Sequence, residues 1–347
     1  MADASAPAAS SSTRLLGMGN PLLDISANVP MSVLEKYEVT LNNAILAEEK
    51  HLPLYEELVK DHEVEYIAGG ATQNSIRVAQ WMLGSEFAGA TAYIGCIGAD
   101  AFGNQLKQSV KADGVDAVYL EDADAATGTC AVLVNDGERS LVANLAAANN
   151  YKIDHLHGAE AQRVVTAASL VYSAGFFITV SPDTMLEVAQ MEGKKFCLNL
   201  SAPFIVEVPP FLEALEKLLP HTTFLFGNET EAMALGKAKG WDASSVADVA
   251  KKVAELHSEL TVVFTQGSES TIVAHGGEVE EHAVEPLPKE KLVDTNGAGD
   301  AFVGGFLSGL VQEKSIKACV DAGHYAAREV IQRSGCTFPE SCIFQFA

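Results

Sequence analysis

The chain has 347 residues, 48 % of them hydrophobic and 20 % charged, and a formal net charge of −23. That is enough chain for one large domain with a substantial core and a smaller companion. No apolar run approaches the ~18 residues of a membrane span, and a surface this acidic repels nucleic-acid backbone and anionic lipid, so neither is an expected partner. The six cysteines (Cys96, Cys130, Cys197, Cys319, Cys336, Cys342) lack a C-x-x-C pair and read as buried thiols of a reducing, cytoplasmic compartment. Sequons at Asn199 and Asn228 follow strand-like runs of the apparent core, which argues against glycosylation.

Residues 1–13 are small and polar, lack the apolar core of a signal peptide, and read as a disordered tail. The run from Arg14 to Gly19 predicts a first buried strand. Its Gly17-x-Gly19 pair fails as a dinucleotide fingerprint, because Leu22 holds the third glycine position and Pro21 interrupts the expected helix. From Asp24 to Tyr66 short alternating segments surround one acidic helical stretch, which predicts a separate small unit. Gly69-Gly70 then opens a helix through Met82 and Leu83 whose first polar groups, Thr72, Gln73 and Asn74, are neutral and suit hydroxyl recognition. The text predicts a strand at Thr91 to Gly98, a helix at Ala101 to Lys111, and a hairpin about Asp136-Gly137 that belongs with the small unit.

From Lys152 strands alternate with helices as far as Thr265, the mark of a parallel sheet with helices on its faces. Ligands of such a sheet lie outside the carboxyl ends of its strands, so three strand ends matter. At Phe226-Gly-Asn228-Glu-Thr-Glu231 an amide and a carboxylate share one helix face; they suit a hydrated Mg²⁺ held through water, or simply cap the helix. Thr265-Gln-Gly267 could admit a nucleotide. Asp294-Thr-Asn296-Gly297-Ala298-Gly299-Asp300-Ala-Phe302 opens a helix with bare backbone, ready for an anion, and sets a carboxylate one turn in. That pairing suits a base that takes a hydroxyl proton while N–H groups stabilise a phosphoryl group in transfer. His324, on a last helix from Ser315 to Arg333, reads as a packed residue, and His155 with His157 as surface.

Together Gly17-Met-Gly-Asn20-Pro-Leu-Leu-Asp24-Ile-Ser, Ala68-Gly-Gly-Ala-Thr-Gln-Asn74, Thr127-Gly-Thr-Cys-Ala, Asn228-Glu-Thr-Glu231 and the Asp294 to Phe302 motif resemble the ribokinase-like superfamily of carbohydrate and nucleoside kinases. Within it, the runs Asn20 to Ser26, Ala174 to Pro182 and Leu198 to Phe204 are similar to those of the adenosine kinases. The resemblance spans Leu15 to Cys342 and implies an α/β fold: a doubly wound, mostly parallel sheet with helices on both faces, plus a small α/β lid. The large ATP- and substrate-binding domain would comprise 14–23, 71–124 and 147–347, and the lid 24–70 and 125–146. The implied reaction moves the ATP γ-phosphoryl group to the 5′-hydroxyl of adenosine, giving AMP and ADP in purine salvage; a related kinase for another nucleoside or sugar is the alternative.

The resemblance assigns Asp300 as base, at an ordinary pKa of ~3.9, the N–H groups of Gly297, Ala298 and Gly299 as anion hole, and Arg139 as a lid group for the phosphates. Asp24, with Gly69, Gly70 and Asn74, would hold the ribose, with Asn20 and Asn296 also at the nucleoside. Leu22, Leu46, Cys130, Leu141 and Ala143 of the lid, with Phe176 or Phe177, would surround the purine. Thr265, Gly267 and His324 would border ATP, Asn228 and Glu231 would organise Mg²⁺ through water, and Asp294 with Asn296 a monovalent cation such as K⁺. The expected partners are small molecules, and the expected state is a monomer. Ala71 departs from the family, where serine is common, at the cost of a hydroxyl contact worth ~1 kcal/mol.

Overall fold

A computed structural model describes residues 14–41, 43–135 and 138–346. The tail expected over residues 1–13 and the Asp136-Gly137 turn lie outside these residues. In chain order the strands are β1 Leu15–Met18, β2 Leu22–Asn28, β3 Ala44–Leu46, β4 Val64–Gly69, β5 Thr91–Gly98, β6 Asp116–Asp122, β7 Thr129–Asn135, β8 Glu138–Asn144, β9 Leu170–Ala174, β10 Lys195–Asn199, β11 Thr222–Asn228, β12 Thr261–Gln266, β13 Glu269–His275 and β14 Glu278–His282.

They form a nine-stranded sheet, ordered β14-β13-β12-β11-β10-β9-β1-β5-β6, and a five-stranded sheet, ordered β3-β8-β7-β2-β4. In the large sheet β6 through β12 run parallel, and β5 and β9 are buried along their whole length, as strands covered on both faces must be. Only the β12–β13 and β13–β14 pairings are antiparallel. β13 and β14 form a hairpin absent from the sequence reading, although Gly276 and Gly277, both at positive φ, carry its turn signal. Glutamates 278, 280 and 281 leave the outer edge charged, which discourages further strand addition.

The helices Ala159–Ala167, Pro182–Ala189, Pro209–Leu218, Glu229–Ala238 and Val246–Ala254 cover one face of this sheet, and Ala71–Leu83, Ala101–Ala112, Ala298–Val311 and Ile316–Val330 the other. Ala298–Val311 is apolar nearly all round and runs between Ala71–Leu83 and Ile316–Val330. Gly304 and Gly305 make this possible: a Cβ would meet the Ser75 carbonyl oxygen at 2.5 Å in the first case and that of Ala322 at 2.3 Å in the second.

Chain order reverses at β1, with β5 and β6 on one side and β9 to β12 on the other, so a cleft opens where the carboxyl ends diverge. The five-stranded sheet joins the large one through four chain crossings, after β1, β4, β6 and β8. Where one helical stretch is expected between Asp24 and Tyr66, two helices occur, Met31–Lys36 and Leu52–Asp61. Six residues give the first too few turns for its periodicity to register in the sequence.

Candidate active site

The cleft between the two sheets has a volume of about 680 Å³. Its floor is the start of the Ala298–Val311 helix. Gly297 takes the left-handed conformation there (φ +80°), and Cys336 packs 3.2 Å from where its Cβ would be. Among the described residues the N–H groups of Gly297 and Gly299 have no hydrogen-bond acceptor, whereas that of Ala298 donates to the Thr295 carbonyl at 3.2 Å. Asp300 follows in the first turn, and its Oδ2 accepts a hydrogen bond from Asn74 Nδ2 at 3.0 Å. Two helix starts thus lie side by side: the neutral donor of one aims at the carboxylate of the other.

The five-stranded sheet supplies the opposite wall. Its register lines up Leu46, Ala143, Cys130 and Asp24 in one row across β3, β8, β7 and β2, with Leu141 opposite Val132 on the next row. Period-2 alternation keeps Leu22 on the face of Asp24. Gly69 makes room for the Asp24 carboxylate, since a Cβ would fall 2.3 Å from its oxygen. No hydrogen-bond donor among the described residues reaches that carboxylate. Beside it, Asn20 Nδ2 donates to the Phe176 carbonyl at 3.4 Å while its buried Oδ1 has no partner.

Burial decides the acid–base character of the cleft. Asp300 and Asp24 keep a partly open face toward it, yet protein crowds out their water and pushes each up to about 7. For Asp300 the Asn74 hydrogen bond opposes burial and the charge of Glu231 adds to it; for Asp24 the Arg77 guanidinium is the leading opposing influence. The ordinary carboxylate pKa expected for Asp300 is therefore corrected to one near neutrality. Glu231 is likewise pushed up to about 7 by burial. It closes a capping box with Asn228, its Oε2 accepting from the backbone N–H at 3.0 Å and its Oε1 from Nδ2 at 2.9 Å, and both residues line the cleft. Asp294 accepts from the N–H groups of Asn296 and Gly335, each at 2.9 Å, and pairs with Arg139 Nε at 3.1 Å. Arg139 also bonds Ser334, so this β8 arginine rests on Asp294.

A pfkB family carbohydrate kinase signature matches residues 31–342. Adenosine kinase 2 of Arabidopsis thaliana is 56 % identical over 334 residues, covering 94 % of this chain and 96 % of that one. An adenosine kinase of Dictyostelium discoideum is 43 % identical over 339 residues, covering 95 % and 98 %. The crystal structure of Anopheles gambiae adenosine kinase in complex with P1,P4-di(adenosine-5) tetraphosphate superposes with a TM-score of 0.87 at 45 % identity, over 95 % of this chain and 98 % of that one. The chain belongs to the adenosine kinase family. Its sheets and helices are those of the ribokinase-like fold implied by the sequence.

Within this family frame, most of the expected residues lie together: Leu22, Asp24, Leu46, Gly70, Asn74, Cys130, Arg139, Leu141, Ala143, Phe176, Asn228, Glu231, Thr265, Asp294, Asn296, Gly297, Gly299 and Asp300 all line the cleft. Others stand apart. Phe177 is fully buried against Tyr151, so Phe176 is the one that faces the cleft. His324 bonds Thr271 at 2.8 Å and packs behind Phe302, which does line the cleft, and Gly267 occupies the β12–β13 turn. Phe204, Asn199 and Ser201 also line the cleft, unassigned in the sequence reading. Ser201 holds the strand ends there: its Oγ accepts from the Gly175 N–H at 2.8 Å at a positive φ of 68°. Their shared sequence signal is the run Leu198 to Phe204 at the end of β10. Among the described residues no helix is long and apolar enough to cross a membrane.

Proposed function

We infer that this chain is an adenosine kinase that transfers the γ-phosphoryl group of ATP to the 5′-hydroxyl of adenosine, giving AMP and ADP. The observation that carries the reading is the Asn74–Asp300 contact beside two free helix-start N–H groups, facing the unpartnered Asp24 carboxylate across the cleft. The cleft-lining Asp24 carboxylate offers an acceptor to ribose hydroxyls, and Asn74 a further polar contact. The purine lies against Leu22, Leu46, Cys130, Leu141 and Ala143, with Phe176 and Phe204 opposite. The tetraphosphate-linked pair of adenosines in the Anopheles relative supports one cleft with a nucleoside at each end of a phosphate chain.

The 5′-oxygen attacks the γ-phosphorus, the bond to the β,γ-bridging oxygen breaks, ADP departs, and the hydroxyl proton passes to Asp300. A base near pH 7 is well matched to this step, and the Gly297 and Gly299 N–H groups face the charge that develops. The cleft itself holds Asp24, Glu231, Asp294 and Asp300 against Arg139, so a polyphosphate needs a cation. Asn228 and Glu231 fit Mg²⁺ bound through water, since both line the cleft and one carboxylate suffices for a hydrated ion. When bound, the metal neutralises phosphate charge. A monovalent cation at Asp294 fits only once Arg139 leaves it for the phosphates.

The test offers ATP and Mg²⁺ with adenosine, guanosine, inosine or ribose and scores phosphorylated product. Adenosine is expected to dominate; preferential phosphorylation of ribose would overturn the reading.

A further inference from the structure

Arg77 lies outside the cleft yet touches several of the parts that build it. It follows Asn74 by one turn on the Ala71–Leu83 helix and is only 6 % exposed. Its Nε donates to the Asp113 carboxylate at 2.5 Å. Its Nη1 donates to the Ala68 carbonyl at 2.6 Å, the Cys336 carbonyl at 3.3 Å and Asn74 Oδ1 at 3.4 Å, and the guanidinium lies over the Phe338 ring at 5.5 Å.

Each Nη1 partner borders the site. Ala68 immediately precedes Gly69-Gly70, where β4 leaves the five-stranded sheet. Cys336 backs Gly297 and follows Gly335, whose N–H binds Asp294. Asn74 presents to Asp300 the end of its amide that Arg77 does not hold. We propose that Arg77 is a positioning residue for phosphoryl transfer: one buried guanidinium fixes the Asn74 amide toward Asp300 and ties the end of β4 to the segment behind the anion hole. The proposal rests on the roles given above to Asp300 and Asp24.

Amide geometry makes the first part specific. With Oδ1 held by a donor, Nδ2 must face Asp300; flipped, the amide oxygen would oppose a carboxylate oxygen. An ion pair with Asp113 alone would need only Nε, and buried ion pairs rarely add net stability. Arginine is the side chain that can hold several carbonyls in a fixed fork; lysine carries the charge without the fork. The charge has its own use. Asp24 is faced by Arg77 from its helix, Asp300 from the neighbouring helix, Arg139 from β8, Asp294 from the loop before Gly297, and the protonated thiols of Cys130 and Cys336. Of these, Arg77 does most to keep Asp24 ionised.

Arg77→Lys and Arg77→Met separate the two effects. The readouts are melting temperature, kcat with adenosine and ATP, and the pH dependence of adenosine binding. For Arg77→Lys, kcat is expected to fall about tenfold or more while the midpoint of the pH dependence stays in place. For Arg77→Met, kcat falls at least as far and the midpoint moves up by about one unit. A folded Arg77→Lys protein with wild-type kcat overturns the proposal, even if Arg77→Met fails to fold, and leaves Arg77 a structural residue. Asp24→Asn tests the underlying reading separately: wild-type adenosine affinity there would remove the ribose role of Asp24, while the kcat of Arg77→Lys still decides the hold on Asn74 and Asp300.

Discussion

The two walls of the cleft are built on different principles. On the large sheet, the proposed chemistry sits at helix starts: Gly297, Asp300 and Asn74 lie at the starts of helices packed so closely that Gly304 and Gly305 cannot carry a side chain without moving backbone. On the small sheet, the proposed recognition surface is one face of a β layer, where alternation sets Leu46, Ala143 and Cys130 in a row with Asp24 and leaves Leu46 61 % exposed. The first wall fixes geometry at a cost in stability, because it crowds carboxylates out of water. The second offers apolar surface that gains free energy only when something covers it.

The largest expected effect breaks the rigid wall chemically. Asp300→Asn should lower kcat by ~10²–10⁴ while adenosine affinity stays within a few-fold; near wild-type turnover in a single-turnover assay would remove Asp300 as base. The same substitution tests the cost of that wall. Because burial raises the folded-state pKa of Asp300, the native state favours its protonated form, and stability is lost as pH rises from about 4 through about 7. Asp300→Asn should therefore raise the melting temperature at pH 8, by a stability gain on the order of 1–3 kcal/mol, and leave it nearly unchanged at pH 4. An equal gain at both pH values would contradict the burial argument.

Gly69→Ala attacks the other wall at its carboxylate. The new methyl collides with the Asp24 carboxylate and should weaken adenosine binding by ~10–100-fold, with ATP binding little altered, as calorimetry with each ligand would reveal.

A smaller effect follows from the ionisations. The acid limb of kcat/KM for adenosine should lie near pH 7 and report Asp24, Asp300 and Glu231 jointly, since all three are pushed there. A limb near pH 4 would mean that the cleft is wetter than its packing implies.

The smallest effect sharpens the contrast. Leu46→Ala removes apolar surface from the recognition face and should raise the KM for adenosine only about three- to tenfold, with kcat and melting temperature almost unchanged. A large loss of kcat instead would mean that the apolar face itself takes part in the chemistry.

The parallel α/β fold and the three strand-end motifs were legible in the sequence because both are local: strand-helix alternation repeats along the chain, and a glycine-opened helix start is written in adjacent residues. The β13–β14 hairpin and the helix Met31–Lys36 escaped because their periodic signal is short. Contacts between distant segments could not be read at all. Asp300 is acidic in any sequence, but its rise to about 7 depends on which helices pack over it. Phe176 and Phe177 are identical neighbours until the turn after β9 sends one to the cleft and the other to the core. Arg77 is an unremarked helix residue until Ala68, Asp113 and Cys336 are brought around it. Residue types and their local order determine which groups are available; burial, partners and field come from the tertiary fold, because each depends on atoms far away in the chain.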